Sequence, residues 1–140
     1  MVSGLTLPRS IAEALLAQSL AERPNEACAL LSGSMALGRA TRHHPARNAE
    51  QSPLRYNVHP DDLVRITFEI DDAGEELVAI FHSHTHSPAV PSATDRRAAM
   101  YPDPFYLVAS LSDPDAPPER ALRAWRIHGG HSFEVPLVIE

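Results

Sequence analysis

The chain of 140 residues contains no lysine; all twelve of its basic side chains other than histidine are arginines, against eighteen acids. A formal net charge of −6 weighs modestly against a nucleic-acid partner. Arginines do gather around Arg42 and Arg47, at Arg96 and Arg97, and at Arg120, Arg123 and Arg126, where ordinary solvated surface is a better account than a docking face. Cysteine is nearly absent too. Cys28 alone excludes an intrachain disulfide, suits a reducing, cytoplasmic setting, and reads as a buried, inert thiol in an apolar strand. No apolar run approaches the ~20 residues that span a bilayer, so no membrane role is expected. Met1 to Thr6 has neither a basic start nor an apolar stretch, which argues against a signal peptide. Repeats, low-complexity segments and linkers are missing as well. Residues 1–140 read as a single domain, large enough to bury roughly two-thirds of its unfolded surface without a covalent scaffold.

What the chain does have is histidine, eight in all, three of them within His82-Ser83-His84-Thr85-His86. They follow Leu77-Val78-Ala79-Ile80-Phe81, a continuous apolar run that reads as a buried strand. Residues two apart in a strand project from one face, so His82 and His84 can aim two imidazoles at one point. Spacing alone allows His84 and His86 instead. Beyond a proline-punctuated loop lies Ser92-Ala93-Thr94-Asp95. Ser followed three residues later by an acid resembles a helix cap with its reciprocal partner, and the same acid can offer an oxygen to a cation. Two neutral nitrogens, one carboxylate and a water would make an open, catalytic zinc site.

The remaining elements describe an α/β unit. Ser10, with Glu13 three residues on, predicts the cap of a helix running from Ile11 to Ala21, closed by Pro24. A strand over Ala27–Leu31 and a turn at Gly33–Gly38 precede a second strand, and His44–Pro53 is polar and irregular. A second helix is expected from Pro60 to Gly74, with Asp61 and Asp62 in its first turn and Leu63, Val64, Ile66, Phe68 and Ile70 as its apolar face. The strand 76–82, a short helix through Arg96–Ala99 and a strand at Phe105–Leu111 come next. Residues 112–118 form a turn, followed by a strand over Ala121–Ile127. Gly129-Gly130 then turns the chain into a strand from Ser132 to Ile139.

His82-Ser83-His84, seven residues, Ser92, two residues, Asp95 resembles the JAMM (MPN+) metalloprotease motif, His-x-His-x7-Ser-x2-Asp with an upstream Glu. Glu26, ahead of Ala27-Cys28-Ala29-Leu30-Leu31-Ser32-Gly33, matches that Glu. The resemblance implies the single-domain MPN, cytidine-deaminase-like fold: a mixed curved β-sheet flanked by about three helices. It implies one zinc per chain held by His82, His84 and Asp95, with Glu26 as general base, Ser92 as oxyanion donor, and His86 at the rim of the cleft. The chain looks closest to small bacterial members that release cysteine from the C-terminus of a ubiquitin-like sulfur-carrier protein. Cleavage of other peptides, including cell-wall fragments, and a non-catalytic scaffold are the alternatives within the fold. A Gly-Gly tail of the partner would add along a sheet edge, either Ser34–Arg39 or the loop after His84, with Arg55 and Tyr56 as candidate wall residues.

Overall fold

A computed structural model describes residues 2–140; Met1 lies outside it. The elements run β1 (Leu5–Leu7), α1 (Arg9–Glu22), β2 (Cys28–Ser34), β3 (Arg39–Ala46), α2 (Pro60–Asp72), β4 (Glu76–His84), α3 (Ala93–Ala98), β5 (Phe105–Ser110), α4 (Pro118–Ala121), β6 (Leu122–His128), β7 (His131–Val135) and β8 (Leu137–Ile139). All eight strands join one mixed sheet in the order β7-β6-β5-β4-β2-β3-β1-β8. β7 and β8, its two edges, are separated in sequence only by Pro136. A single residue can link opposite edges only if the sheet curls back on itself, so it is strongly curved and almost closed. Proline lacks the N–H that would continue the ladder, and its carbonyl instead accepts from the Leu5 N–H. The one strand expected over Ser132–Ile139 is therefore two.

β4 lies between β2, antiparallel to it, and β5, parallel to it. Strands covered on both faces are apolar throughout rather than alternating, as Val78 to Phe81 and Phe105 to Val108 are. On one side Leu5, Leu31, Phe81 and Leu107 pack with Ile11 and Leu15 of α1; on the other Cys28, Leu30, Ile80, Tyr106 and Trp125 pack with Ile66 and Ile70 of α2. His82 and His84 have the parity of Ile80 and so share the α2 side.

Several expectations need correction. α1 starts at Arg9 with Pro8 at its cap and no side-chain cap bond, so Ser10 sits inside the first turn. The Pro8 carbonyl accepts from both Ile11 and Ala12, which leaves Ser10 no capping duty. α2 begins at Pro60 as expected, but Val64 and Phe68 are 57% and 65% exposed. The helical period puts Leu63, Ile66 and Ile70 on one stripe and carries residues 64 and 68 off it. Two elements were not foreseen: β1, a three-residue strand, and α4, a single turn that brings the helices to four.

Candidate metal and catalytic centre

Pairing of Cys28 with His82 in the β2–β4 ladder sets the site. The Ala27 carbonyl accepts from the Ser83 N–H at 3.1 Å, and the Ala27 N–H donates to Ser83 Oγ at 2.9 Å. Two residues further out, Glu26 therefore stands beside His84, just ahead of the first residue of β2. Its own N–H donates to the Ser52 carbonyl (2.8 Å), and its carbonyl accepts from the Asn48 side-chain amide (3.0 Å). The Glu26 backbone is thus fixed on both sides while its carboxylate points into the cleft.

The acid from the motif loop arrives by a capping box. Ser92 Oγ accepts from the Asp95 N–H (3.0 Å), and the Ser92 N–H donates to Asp95 Oδ2 (2.8 Å). The cap and the candidate ligand are one device: the reciprocal bonds that start α3 hold the Asp95 carboxylate towards β4. Upstream, Trp125 Nε1 donates to the buried Ala89 carbonyl at 2.9 Å and pins the loop that leads there.

Glu26, His82, His84 and Asp95 each offer an atom within 4.8 Å of the others, and all four residues are buried. His82 Nε2, His84 Nε2 and Asp95 Oδ2 form a triangle with edges of 3.1, 3.0 and 3.0 Å. Ligand atoms around a tetrahedral zinc with bonds of roughly 2.0–2.1 Å stand about 3.3–3.4 Å apart, so the three atoms fit one face of such a site with only a slight opening. The tautomers fit too. His84 Nδ1 lies 2.8 Å from the Pro88 carbonyl, which can only accept. Nδ1 therefore carries the proton, and the neutral ring keeps a lone pair on Nε2 for an electrophile. His86 does not join the group; it is exposed on the wall of the cleft.

The charges follow from the surroundings. Burial alone would raise the Asp95 carboxyl, but bonds from His82, His84 and the Ser92 N–H outweigh it and hold the acid well below the usual range. Burial lowers His82. It would lower His84 as well, but Asp95, the Pro88 carbonyl and Glu26 reverse the direction. Glu26 is raised to about 7, chiefly by burial and further by Asp95, with His84 opposing. Its Oε1 has no hydrogen-bond partner among the described residues. A carboxylate poised near neutrality and aimed at open volume is suited to taking and returning a proton. That volume is a cleft of about 570 Å³ lined by Pro24, Glu26, Pro53, Leu54, His84, Thr85, His86, Ser87 and Ser92.

The profile described as prokaryotic homologs of the JAB domain matches residues 8–128. The chain belongs to this family. It is 35% identical over 133 residues to a CysO-cysteine peptidase of Mycobacterium tuberculosis, covering 95% of this chain and 89% of that protein. A desampylase of Haloferax volcanii is 34% identical, with 84% and 80% covered. Among solved structures, a protein of Desulfitobacterium hafniense superposes with a TM-score of 0.87 at 30% identity, over 97% of this chain and 92% of that one. A JAMM protein described by a metalloprotease-like zinc site in the proteasome and signalosome shares the fold at 17% identity and a TM-score of 0.59, with 97% of each chain covered. The JAB-family chain is accordingly a JAMM-type hydrolase with the MPN fold, and the motif resemblance is correct at the level of the family. Among the described residues, no helix is long and apolar enough to cross a membrane.

The family chain also holds parts that the sequence did not reveal. Ser34–Arg39 is no open edge: Ser34 pairs with Arg39 inside the β2–β3 hairpin. Asn48, in the irregular stretch, uses its whole amide. Nδ2 donates to the Glu26 and Arg55 carbonyls, and Oδ1 accepts from the Glu50 and Asn57 N–H groups, all at 3.0–3.1 Å. Asp62 of α2 fixes the start of that loop through the Arg47 N–H and guanidinium, which hold its carboxyl down to about 2. Tyr56 lies against His82 rather than in the wall of the cleft. The signal for Asn48 was an Asn amid prolines and polar residues with nothing periodic around it. Cys28 is buried, and burial pushes its thiol up to about 12, so it is not a nucleophile.

Proposed function

We propose that residues 1–140 form one zinc-dependent peptidase domain that hydrolyses an amide bond at the C-terminus of a small ubiquitin-like or sulfur-carrier protein ending in Gly-Gly. The observation that carries this reading is the buried convergence of Glu26, His82, His84 and Asp95 beside an open cleft. The relatives named as a CysO-cysteine peptidase and a desampylase support the substrate class. The single free, buried cysteine is in keeping with a cytoplasmic setting.

His82, His84 and Asp95 would hold one zinc, with Pro88 and Ser92 orienting two of these three ligands. A zinc bound there supplies Lewis acidity, polarising the scissile carbonyl and making water acidic near neutral pH. Glu26 takes a proton from the attacking water and returns it to the leaving nitrogen. Burial serves this by bringing its carboxyl close to the pH at which both transfers must run. Ser92 Oγ accepts from Asp95, which leaves its own hydrogen free to donate towards the oxygen that gains charge. His86, exposed on the cleft wall, contacts substrate and not the metal.

The test is direct. Zinc-reconstituted protein is incubated with a carrier ending in Gly-Gly and extended by one cysteine, and in parallel with a carrier joined through Gly-Gly to a lysine side chain. Intact-mass spectrometry is expected to show loss of the extension from at least one of them. Both substrates remaining whole at high enzyme concentration would sink the reading.

A further inference from the structure

We propose that Tyr56 is a positioning residue that fixes the ring plane of His82 by stacking, the task a hydrogen bond performs for His84. This rests on the reading of His82 as a metal ligand. A histidine that binds through one nitrogen is ordinarily oriented by a hydrogen bond at the other. His84 has that bond, from Nδ1 to the Pro88 carbonyl. His82 does not: its Nδ1 is buried and meets no hydrogen-bond partner among the described residues.

What His82 has is a ring on its face. Tyr56 lies parallel to it, with centroids 4.3 Å apart and planes inclined by 14°. The second constraint is the edge of His84, 4.9 Å away at 63°. Between them these two rings restrict rotation of the imidazole about its own axis.

The stack is itself held in place. Asn48 bonds the carbonyl of Arg55 and the N–H of Asn57, the residues on either side of Tyr56, and the same side chain bonds the Glu26 carbonyl. One amide therefore ties the backbone of the proposed base to the ring that aims a proposed ligand. The loop is closed further by Ala49 N–H to the Asn57 carbonyl (2.8 Å) and His59 N–H to the Arg47 carbonyl (2.9 Å). Since the ring and not the hydroxyl does the positioning, phenylalanine should replace tyrosine without loss.

Two measurements test this. In competition with a chelator, Tyr56→Leu should release zinc ~10–100-fold more readily, the usual cost of losing an outer contact to a ligand, while Tyr56→Phe holds zinc like the unaltered chain. Tyr56 also packs against the core on the α2 side, so the thermal midpoint of metal-free Tyr56→Leu is measured alongside and zinc release is compared at a temperature where that protein is fully folded, which separates orientation from packing. Tyr56→Leu holding zinc as tightly as the unaltered chain, or Tyr56→Phe releasing it as readily as Tyr56→Leu, would overturn the proposal. The second measurement does not depend on the leucine variant folding. NMR of the metal-free protein should place the His82 ring protons upfield of those of His84, in the unaltered chain and in Tyr56→Phe alike, and the lack of that shift would also overturn it. An unaltered chain that binds no zinc but keeps the shift would count against the metal site and leave the stack standing.

Discussion

β4 and the loop from Arg47 to His59 both serve the candidate site, and they do so in opposite ways. β4 is paired along both edges and buried on both faces, and it delivers His82 and His84 by strand period alone. The loop has one isolated bridge, Asn48 with Val58, and holds Glu26 and the flanks of Tyr56 through a few bonds, from the Ser52 carbonyl and, for the rest, mostly from the Asn48 amide. Where a regular ladder supplies position, many residues share the task and each alone matters little. Where a loop supplies it, the task falls on a few bonds, and the largest share of them is made by one amide. The ligands should therefore fail by losing their chemistry, and the loop by losing Asn48.

The largest effect expected is at β4 and α3. His82→Ala, His84→Ala or Asp95→Ala should each lose both zinc and hydrolysis, with the backbone unchanged by circular dichroism. Retention of a full zinc complement by any of the three would remove that residue from the metal site.

Asn48→Ala sharpens the comparison from the loop side. It leaves the Glu26 and Arg55 carbonyls and two N–H groups without their partners. An unsatisfied buried group costs roughly 1–3 kcal/mol, and partial exposure of this loop places the expected loss at the lower end. Chemical denaturation should show that loss, and turnover should fall further than zinc affinity does. Equal stability and turnover would mean that the loop is held by its backbone bonds alone.

Glu26 gives the comparison a pH dependence. Burial raises its carboxyl from the ordinary 4.5 to about 7. An acid raised in the folded state keeps its proton there after the unfolded chain has lost it, so ν for the folded state exceeds that for the unfolded and stability falls with pH between those values. In the metal-free protein the Glu26 contribution to stability should fall as pH rises from about 4.5 to about 7 and then level off, against the opposite trend set by His82 and His43, which burial holds neutral. Glu26→Gln should remove that part of the slope and raise the melting temperature at pH 8. An unchanged slope would mean that the carboxylate is solvated and not poised.

The smallest effect is expected at His86, which is exposed on the cleft wall. His86→Ala should keep zinc and most of the activity, with any loss appearing in KM. Loss of zinc would shift the ligand pair from His82 and His84 to His84 and His86.

The same contrast explains what could be read from the sequence. β4 and β2 were legible because both-face burial leaves a long apolar run, and α2 because Pro60 with two acids marks a helix start. The buried group of His82, His84, Asp95 and Glu26 was legible only through the resemblance to the JAMM motif, because period two and the Ser92–Asp95 cap by themselves left His84 and His86 open as the pair. Ser10 misled because Pro8 already supplied the cap, and Val64 and Phe68 misled because apolar character does not report which stripe faces inward. β1 and α4 are too short to carry a period, and Pro136 divides a strand whose apolar pattern continues across it. Asn48 and Tyr56 act through contacts with no local pattern: the bond to Glu26 spans 22 residues, and the stack joins residues 56 and 82. Nothing in the composition of residues 47–59 encodes those distances.

In the proposed function three residues hold zinc while a fourth, Glu26, performs the proton transfers. The most direct test is to measure zinc per chain and turnover on the same sample of Glu26→Gln. One zinc per chain is expected, as in the unaltered protein, with turnover reduced at least ~10²-fold by loss of a positioned general base. Turnover near that of the unaltered protein, or loss of the zinc along with the activity, would contradict it.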